Sequence, residues 1–281
     1  ILIMYEKEIR MDKNKDNRMK AVYFRENIIK IIMFLCAMLS VITTFGIVYS
    51  LFSESLPFFK EGRLFALVRP GKIWDPRGEI YSIWPLLTGT LMIVLFSCLF
   101  AIPLGLGSAI YLSEYAVPKW RNILKPILEI LAGIPSVVYG FFGMVMIVPA
   151  IRYNFGGTGS SILAASILLG IMILPTIIGV SESAIRAVPG SYYEGSLALG
   201  ATHERSIFRA VLPAAKSGIF AGIILGVGRA IGETMAVIMI AGNQARMPAG
   251  LLKGVRTLTA NIVIEMGYAA DLHREALIAT G

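Results

Sequence analysis

The sequence predicts an all-α polytopic membrane protein, and three observations carry that prediction. Only 16% of the 281 residues are charged while 56% are hydrophobic, whereas soluble domains carry about 25% charged and about 45–50% apolar residues. The charges crowd into connecting segments. The stretches left between them are about 20 residues long, which at 1.5 Å per residue matches a hydrocarbon layer of roughly 30 Å. A soluble surface needs roughly 25–35% charged residues, so a soluble enzyme is excluded. The net charge of +8 forms no basic stripe interleaved with aromatics, so it reads as membrane sidedness and not as a nucleic-acid footprint.

The first predicted span is Ile31–Ser50, which is free of charge and follows a segment, 1–30, rich in Lys7, Arg10, Lys13, Lys15, Arg18 and Lys20. Such a basic end stays in the cytoplasm, and the apolar stretch exceeds the h-region of a cleaved signal. No charge occurs from Ile80 to Ser113, and its core, Leu86–Leu112, is the second span despite Pro103 and Gly105. The third runs from Ile130 to Ile151 with Pro135 and Gly140 near its start. The fourth is Ser160–Val180, with Pro175 near its end. The fifth, Ser217–Ile240, holds Arg229 and Glu233.

With the N-terminus inside, 112–129 (Lys119, Arg121, Lys125) and 181–216 (Arg186, Arg205, Arg209, Lys216) are cytoplasmic, and 151–159 carries only Arg152 outside. The external segment 51–79 departs from the rule with Lys60, Arg63, Arg69, Lys72 and Arg77. Residues 31–281 are then one transmembrane domain. Its last residues, Ala276–Gly281, read as the opening of a sixth span beginning near Leu277.

Cys36 and Cys98 each lie in an apolar stretch, which favours buried small hydrophobes over a disulfide. His203 and His273 stand far apart and form no metal motif. No Gly-rich Lys-Ser/Thr loop binds nucleotide, and no nucleophile–base constellation supports a membrane enzyme.

Two segments carry the functional reading. In 181–216, Pro189-Gly190 breaks the preceding helix, and Ser191 stands three before Glu194, the capping-box spacing. Gly200 suits a left-handed stop. Thr202 then caps a second helix through about Val211 that ends before Pro213. The product is a helix–Gly–helix hairpin, either a docking element or an ordinary connection. In the fifth span, Arg229 and Glu233 are four apart and share a face on a continuous helix. A charge at mid-membrane costs on the order of 2.5–3.5 kcal/mol, so the pair either lines an anion route or clasps helices together. Ser136 and Tyr139 either add neutral polar contacts to such a route or serve helix packing and interfacial anchoring.

Glu194-Gly195-Ser196 followed by Gly200, Ile207 and Leu212-Pro213 resembles the cytoplasmic signature loop of binding-protein-dependent ABC importer permeases, with Gly195 and Ser196 replacing the usual two alanines. Residues 131–140 (LAGIPSVVYG), 228–237 (GRAIGETMAV) and 258–267 (LTANIVIEMG) are similar to the phosphate importer permease family of the PstC type. That resemblance implies a MetI-like ABC permease fold with six spans, in a bacterial or archaeal cytoplasmic membrane, and inward phosphate transport by alternating access. It also implies a homologous PstA permease, two PstB ATPases that hold ATP-Mg, and the phosphate-binding protein PstS as partners, with no cofactor in this chain. Residues 191–211 become the ATPase-coupling region, and Arg229 becomes the leading residue of the anion route with Glu233 beside it. A passive anion channel and a noncatalytic assembly subunit held by an Arg229–Glu233 clasp are the competing readings.

Overall fold

The computed structural model describes residues 2–60 and 64–281, the side chains of 2–22, 24, 60, 64 and 66 apart. The N-terminal charges from Lys7 to Lys20, and Lys60 and Arg63 of the external segment, therefore lie outside the described side chains. The chain forms two units, Ile1–Leu56 and Pro57–Gly281. In the first, helix α1 (Leu2–Lys60) contains the expected first span. Ile31, Ile32, Met33 and Phe34, which follow one another around the helix, are all exposed on it, the all-round apolarity of a membrane span.

The second unit begins with α2 (Leu64–Val68), followed by α3 (Trp84–Ile110), which a π-type turn at Tyr111–Tyr115 extends. Pro103 sits inside α3 without ending it, as membrane helices tolerate. Then come α4 (Pro118–Gly133), α5 (Ser136–Phe142), a π-type turn at Gly143–Ile147, and α6 (Val148–Phe155). The third span is thus corrected: it starts at Ser136, not Ile130. Pro135 disfavours helical geometry at Ile134, which is extended at φ −65°, ψ 129°, so α4 is a separate amphipathic helix.

Helix α7 (Ile162–Arg186) opens on Ser161, whose Oγ accepts the Ala164 N–H at 3.3 Å. It runs past the expected end at Val180. After α8 (Gly190–Ala198) and α9 (His203–Ser206), a π-type turn at Ile207–Val211 leads directly into α10 (Leu212–Gly232). The expected stop before Pro213 does not occur. The widened turn, in which Leu212 N–H reaches Ile207 O, is the helical geometry that accommodates a proline's missing N–H and bulky ring. The remaining helices are α11 (Met235–Ile240), α12 (Leu258–Met266) and α13 (Asp271–Thr280). Leu277 lies within α13, fully buried with Phe58, Trp74 and Leu86, and not at the start of a helix. Among the described residues, five segments are long and apolar enough to cross a membrane: Arg25–Phe59, Trp84–Tyr115, Ser136–Phe155, Ile162–Arg186 and His203–Gly232.

The core centres on α7, packed between α3 and α10. On α10, glycines recur every fourth residue against α7. A Cβ at Gly226 would fall 2.7 Å from Ile177 Cγ1, one at Gly222 would fall 3.0 Å from Ser181 Oγ, and one at Gly218 would collide with Ala184. On the other side, a Cβ at Gly105 of α3 would meet Ile177 Cγ2 at 2.8 Å. Small residues let membrane helices approach until dispersion contacts hold them, because lipid provides no hydrophobic drive. Ser166 Oγ adds a hydrogen bond to Ile93 O at 3.3 Å. Cys98 is buried in this core as expected, whereas Cys36 is exposed on α1.

Gly222→Leu is expected to cost at least the 1–3 kcal/mol typical of overpacking and to lower the melting temperature in detergent. Gly228→Ala, where a Cβ meets nothing within 4 Å, should melt like the wild type or slightly above it.

Candidate functional site

Two helix breaks meet where the membrane-centre residues lie. The first, at Ile134-Pro135, separates α4 from α5, and the second, at Glu233-Thr234, separates α10 from α11. The α5 and α11 helices pack closely because Gly140 has no side chain: a Cβ there would lie 3.0 Å from Ala236 Cα and 2.6 Å from Met239 Sδ. Non-helical backbone at membrane depth is tolerated only where protein buries it or water lines it. The ends of broken helices are also where transporters commonly bind ions.

Arg229 lies in the last turn of α10 and is half-buried. Its Nη1 donates to Thr176 Oγ1 of α7 at 3.3 Å. No carboxylate pairs with it among the described residues. The expectation that Glu233 shares its helix face is corrected, because α10 ends at Gly232 and Glu233 is extended at φ −69°, ψ 126°. Three glycines at 226, 228 and 232 weaken the helix by about 1 kcal/mol each relative to Ala. The Glu233 carboxylate is used elsewhere: its Oε1 accepts the Ala236 N–H of α11 at 3.2 Å, and its carbonyl accepts from Thr259 Oγ1 of α12 at 3.3 Å. Glu233 therefore positions two helices, and Arg229 keeps its charge uncompensated.

Tyr139 is 7% exposed, and its hydroxyl donates to Leu131 O across the first break at 2.9 Å. That bond commits the hydroxyl to holding α4 and α5 together. Ser136, in the first turn of α5, is half-buried. Ser181 is buried, and its Oγ, beside Gly222, has no hydrogen-bond partner among the described residues.

The hairpin after α7 differs in detail from the sequence reading. Pro189, with its fixed φ of −56°, occupies the cap position, so α8 starts at Gly190 and no side-chain cap forms. Ser191 thus falls inside the first turn and the Ser191–Glu194 box is absent. At the other end, Gly200 is left-handed at φ +83°. Gly200 N–H bonds Leu197 O at 2.8 Å, and Ala201 N–H bonds Ser196 O at 3.2 Å, the paired bonds of a Schellman stop. Thr202 Oγ1 accepts the Arg205 N–H at 3.4 Å, as expected of a cap.

Ile207 is fully buried and Leu212 half-buried, whereas Glu194, Gly195, Gly200 and Pro213 are exposed and Ser196 is half-buried. The outward face carries Tyr192 and Leu197, with Leu199 at its tip 91% exposed. His203 ties the hairpin down: its Nδ1 lies 2.8 Å from Tyr193 Oη, and its ring meets Tyr115 edge-on at 5.2 Å. Sequence reasoning considered His203 only as a metal ligand. Its spacing of ten from Tyr193 gives no local signal.

A polar knot at the opposite ends of α3 and α7 was also missed. Glu265 of α12 is buried and accepts from Arg256 Nη1 at 2.5 Å and from Trp74 Nε1 at 2.9 Å, with His273 Nε2 at 2.8 Å. Arg256 further donates to Asn261 Oδ1 at 3.0 Å and Asn243 O at 3.1 Å. The partners come from segments up to 191 residues apart, so only the fold brings them together. Removing the shared acceptor strands a partly buried cation, a change that typically costs 3–5 kcal/mol. Glu265→Leu should therefore lower the melting temperature sharply, and Glu265→Gln, which keeps an acceptor, should lower it less.

The sequence profile of binding-protein-dependent transport system inner membrane components matches residues 101–270. The chain is 41% identical over 199 residues to a probable ABC transporter permease protein, YqgH, of Bacillus subtilis (strain 168). That alignment covers 69% of this chain and 64% of that protein, so the chain spans less than two thirds of the relative's length. It is 33% identical over 229 residues to the phosphate transport system permease protein PstC of Pasteurella multocida (strain Pm70), covering 74% of this chain and 71% of that protein. Among solved structures, the inward-facing MetNI methionine ABC transporter superposes with a TM-score of 0.50 at 21% identity, covering 70% of this chain and 84% of the other. That likeness is one of fold.

Proposed function

The chain belongs to the family of binding-protein-dependent transport system inner membrane components, and from that premise we propose that it is the PstC-type permease subunit of an ATP-driven inorganic phosphate importer. Phosphate crosses by alternating access through a path shared with a homologous PstA-type permease. The PstS-type binding protein delivers it from outside, and two PstB-type ATPases hold ATP-Mg and supply the energy. This subunit is itself noncatalytic, and its N-terminus is cytoplasmic.

The observation that carries the reading is Arg229, a half-buried, unpaired guanidinium where two helix breaks converge. A dehydrating phosphate needs charge-assisted donors, and guanidinium geometry matches its oxygens. Glu233 faces away into its helix-capping bond, which removes the carboxylate that would repel the anion. A direct clasp between the two residues is not formed, and this disfavours the pure assembly reading. The Schellman-stopped hairpin with Leu199 at its tip suits a lever in an ATPase groove, an element that a passive channel does not need. In this reading Glu194, Gly195, Ser196 and Gly200 shape the lever. Ile207, Leu212 and Pro213 root it in the membrane domain, and Ser136 and Tyr139 fix the wall of the path.

Proteoliposomes holding this chain with the partner permease, ATPase and binding protein test the assignment. Phosphate uptake should require both ATP and the binding protein; uptake that continues without ATP refutes the importer. Arg229→Ala should cut uptake about tenfold or more, consistent with loss of a charge-assisted bond, while the complex still assembles. Normal flux would remove Arg229 from the route. Gly200→Val forces a β-branched residue into a left-handed geometry at about 1–3 kcal/mol and should uncouple ATP turnover from uptake or release the ATPase.

A further inference from the structure

Two connected cavities run along one side of the bundle between α3, α4 and α7. The larger, of about 440 Å³, is walled by side chains that include Leu104 of α3, Tyr111 of the π-type turn that extends it, and Leu124 and Ile127 of α4. The smaller, of about 100 Å³, continues from it through the shared walls Leu112, Leu128 and Ile178 and is rimmed by Arg121 and Lys125. The groove thus starts beside Pro103, well inside a membrane span, and ends where two cations, Arg121 and Lys125, meet the carboxylates of Glu129 and Glu182.

The two cations differ. Lys125 Nζ is bound to the buried Glu182 at 3.1 Å, which Arg186 also contacts at 3.4 Å. Arg121 is half-buried, and among the described residues its side chain has no hydrogen-bond or ion-pair partner. Glu129 also lines the smaller cavity, but it lies eight residues further along α4, about 12 Å by helical rise. A half-buried guanidinium without an acceptor calls for an anion. The groove beside it is apolar and sits at membrane depth, where the available apolar ligand is an acyl chain. Helix α4 itself has the form of an interfacial helix: Trp120, Ile123, Ile127 and Ile130 are exposed along one face, with Lys119 and Arg121 at one end.

We propose that this groove is a binding site for one anionic phospholipid, with an acyl chain against Leu104, Leu124 and Leu128 and its phosphate on Arg121. Basic pockets between membrane helices bind anionic headgroups in this way. The lipid would fill the space between α4 and the α3–α7 pair and hold α4 against the bundle.

The test is native mass spectrometry of the complete, delipidated permease–ATPase complex titrated with dioleoylphosphatidylglycerol or dioleoylphosphatidylcholine. One cation near a headgroup predicts that the first phosphatidylglycerol binds about fivefold tighter than phosphatidylcholine. Arg121→Gln removes no intramolecular bond and should abolish that preference. Gly107→Leu projects into the larger cavity from a position where a Cβ meets nothing within 4 Å, and it should remove the first adduct of both lipids. Equal affinity for the two lipids overturns the proposal. So does a phosphatidylglycerol adduct that survives Gly107→Leu, as would happen if the partner permease covered the groove. Displacement of the adduct by inorganic phosphate would assign Arg121 to the free anion instead.

Discussion

The fold depends on how closely α7 is gripped by its neighbours. Ile177 sits where α3 and α10 both present glycine, Gly105 on one side and Gly226 on the other, so one branched side chain fills both crossings. One and two turns further along α7, Val180 and Ser181 meet Gly222 and Ala184 meets Gly218. In water a hydrophobic stripe would hold three such helices together. In lipid that drive is absent, and only contact at van der Waals distance distinguishes a neighbouring helix from an acyl chain. The repeated small residues are therefore what makes this a specific bundle instead of a set of interchangeable apolar rods. The outward faces show the contrast: Leu91, Leu95 and Leu99 on α3 are large, apolar and exposed.

A rigid three-helix block lets the rest of the domain be irregular. The break at Ile134-Pro135 lies between α4 and α5, outside the block, and the one at Glu233-Thr234 lies where α10 leaves it. Each break is secured by a side chain whose residue type suggests another task. Tyr139 spends its hydroxyl on Leu131 O, and Glu233 spends its carboxylate on the Ala236 N–H. The polar groups along this region thus divide into those that satisfy unwound backbone, as a low-dielectric surrounding requires, and Arg229, which does not. Electrostatically, Arg229 differs from its neighbours because Glu233 has been drawn away from it.

The spans were legible in the sequence because charge-free length is a property of composition alone, and Gly200 and Thr202 were legible because their roles are local. What escaped was continuity. Hydropathy does not distinguish Ile130 from Ser136 as a starting point, since Leu131, Ala132 and Ile134 are as apolar as the span itself; the break is set by Pro135 acting on one peptide unit. The converse holds at Pro213, where a proline that reads as a stop is absorbed by a π-type turn. Arg229 and Glu233 were paired by counting four residues along a helix that ends between them. The Glu265 knot and the His203–Tyr193–Tyr115 contact join residues remote in sequence, with no periodicity to reveal them, and His273 and His203 each carried only the weak prior of a lone histidine.

Continuity from α9 to α10 has a mechanical consequence. On a hairpin that stopped before Pro213, the exposed Leu199 tip and Arg229 would belong to separate bodies joined by a hinge. Instead, His203 and Arg229 lie on one helical run, 26 residues apart, or about 39 Å at 1.5 Å per residue. Only the π-type turn at Ile207–Val211 interrupts its regularity. His203 anchors the start of that run to α8 and to Tyr115 at the end of α3, and Ile207 is buried immediately after it. A displacement imposed on the hairpin therefore has few soft degrees of freedom in which to dissipate before it reaches the glycine ladder of α10 against α7 and then Arg229. Packed helices move past one another by shear, and sliding α10 along α7 would carry Arg229 relative to Thr176, its one hydrogen-bond partner among the described residues. A lone, long contact of 3.3 Å is easier to exchange for an anion's oxygen than a carboxylate pair would be, so the arrangement that leaves Arg229 uncompensated also leaves it able to respond to movement at the hairpin.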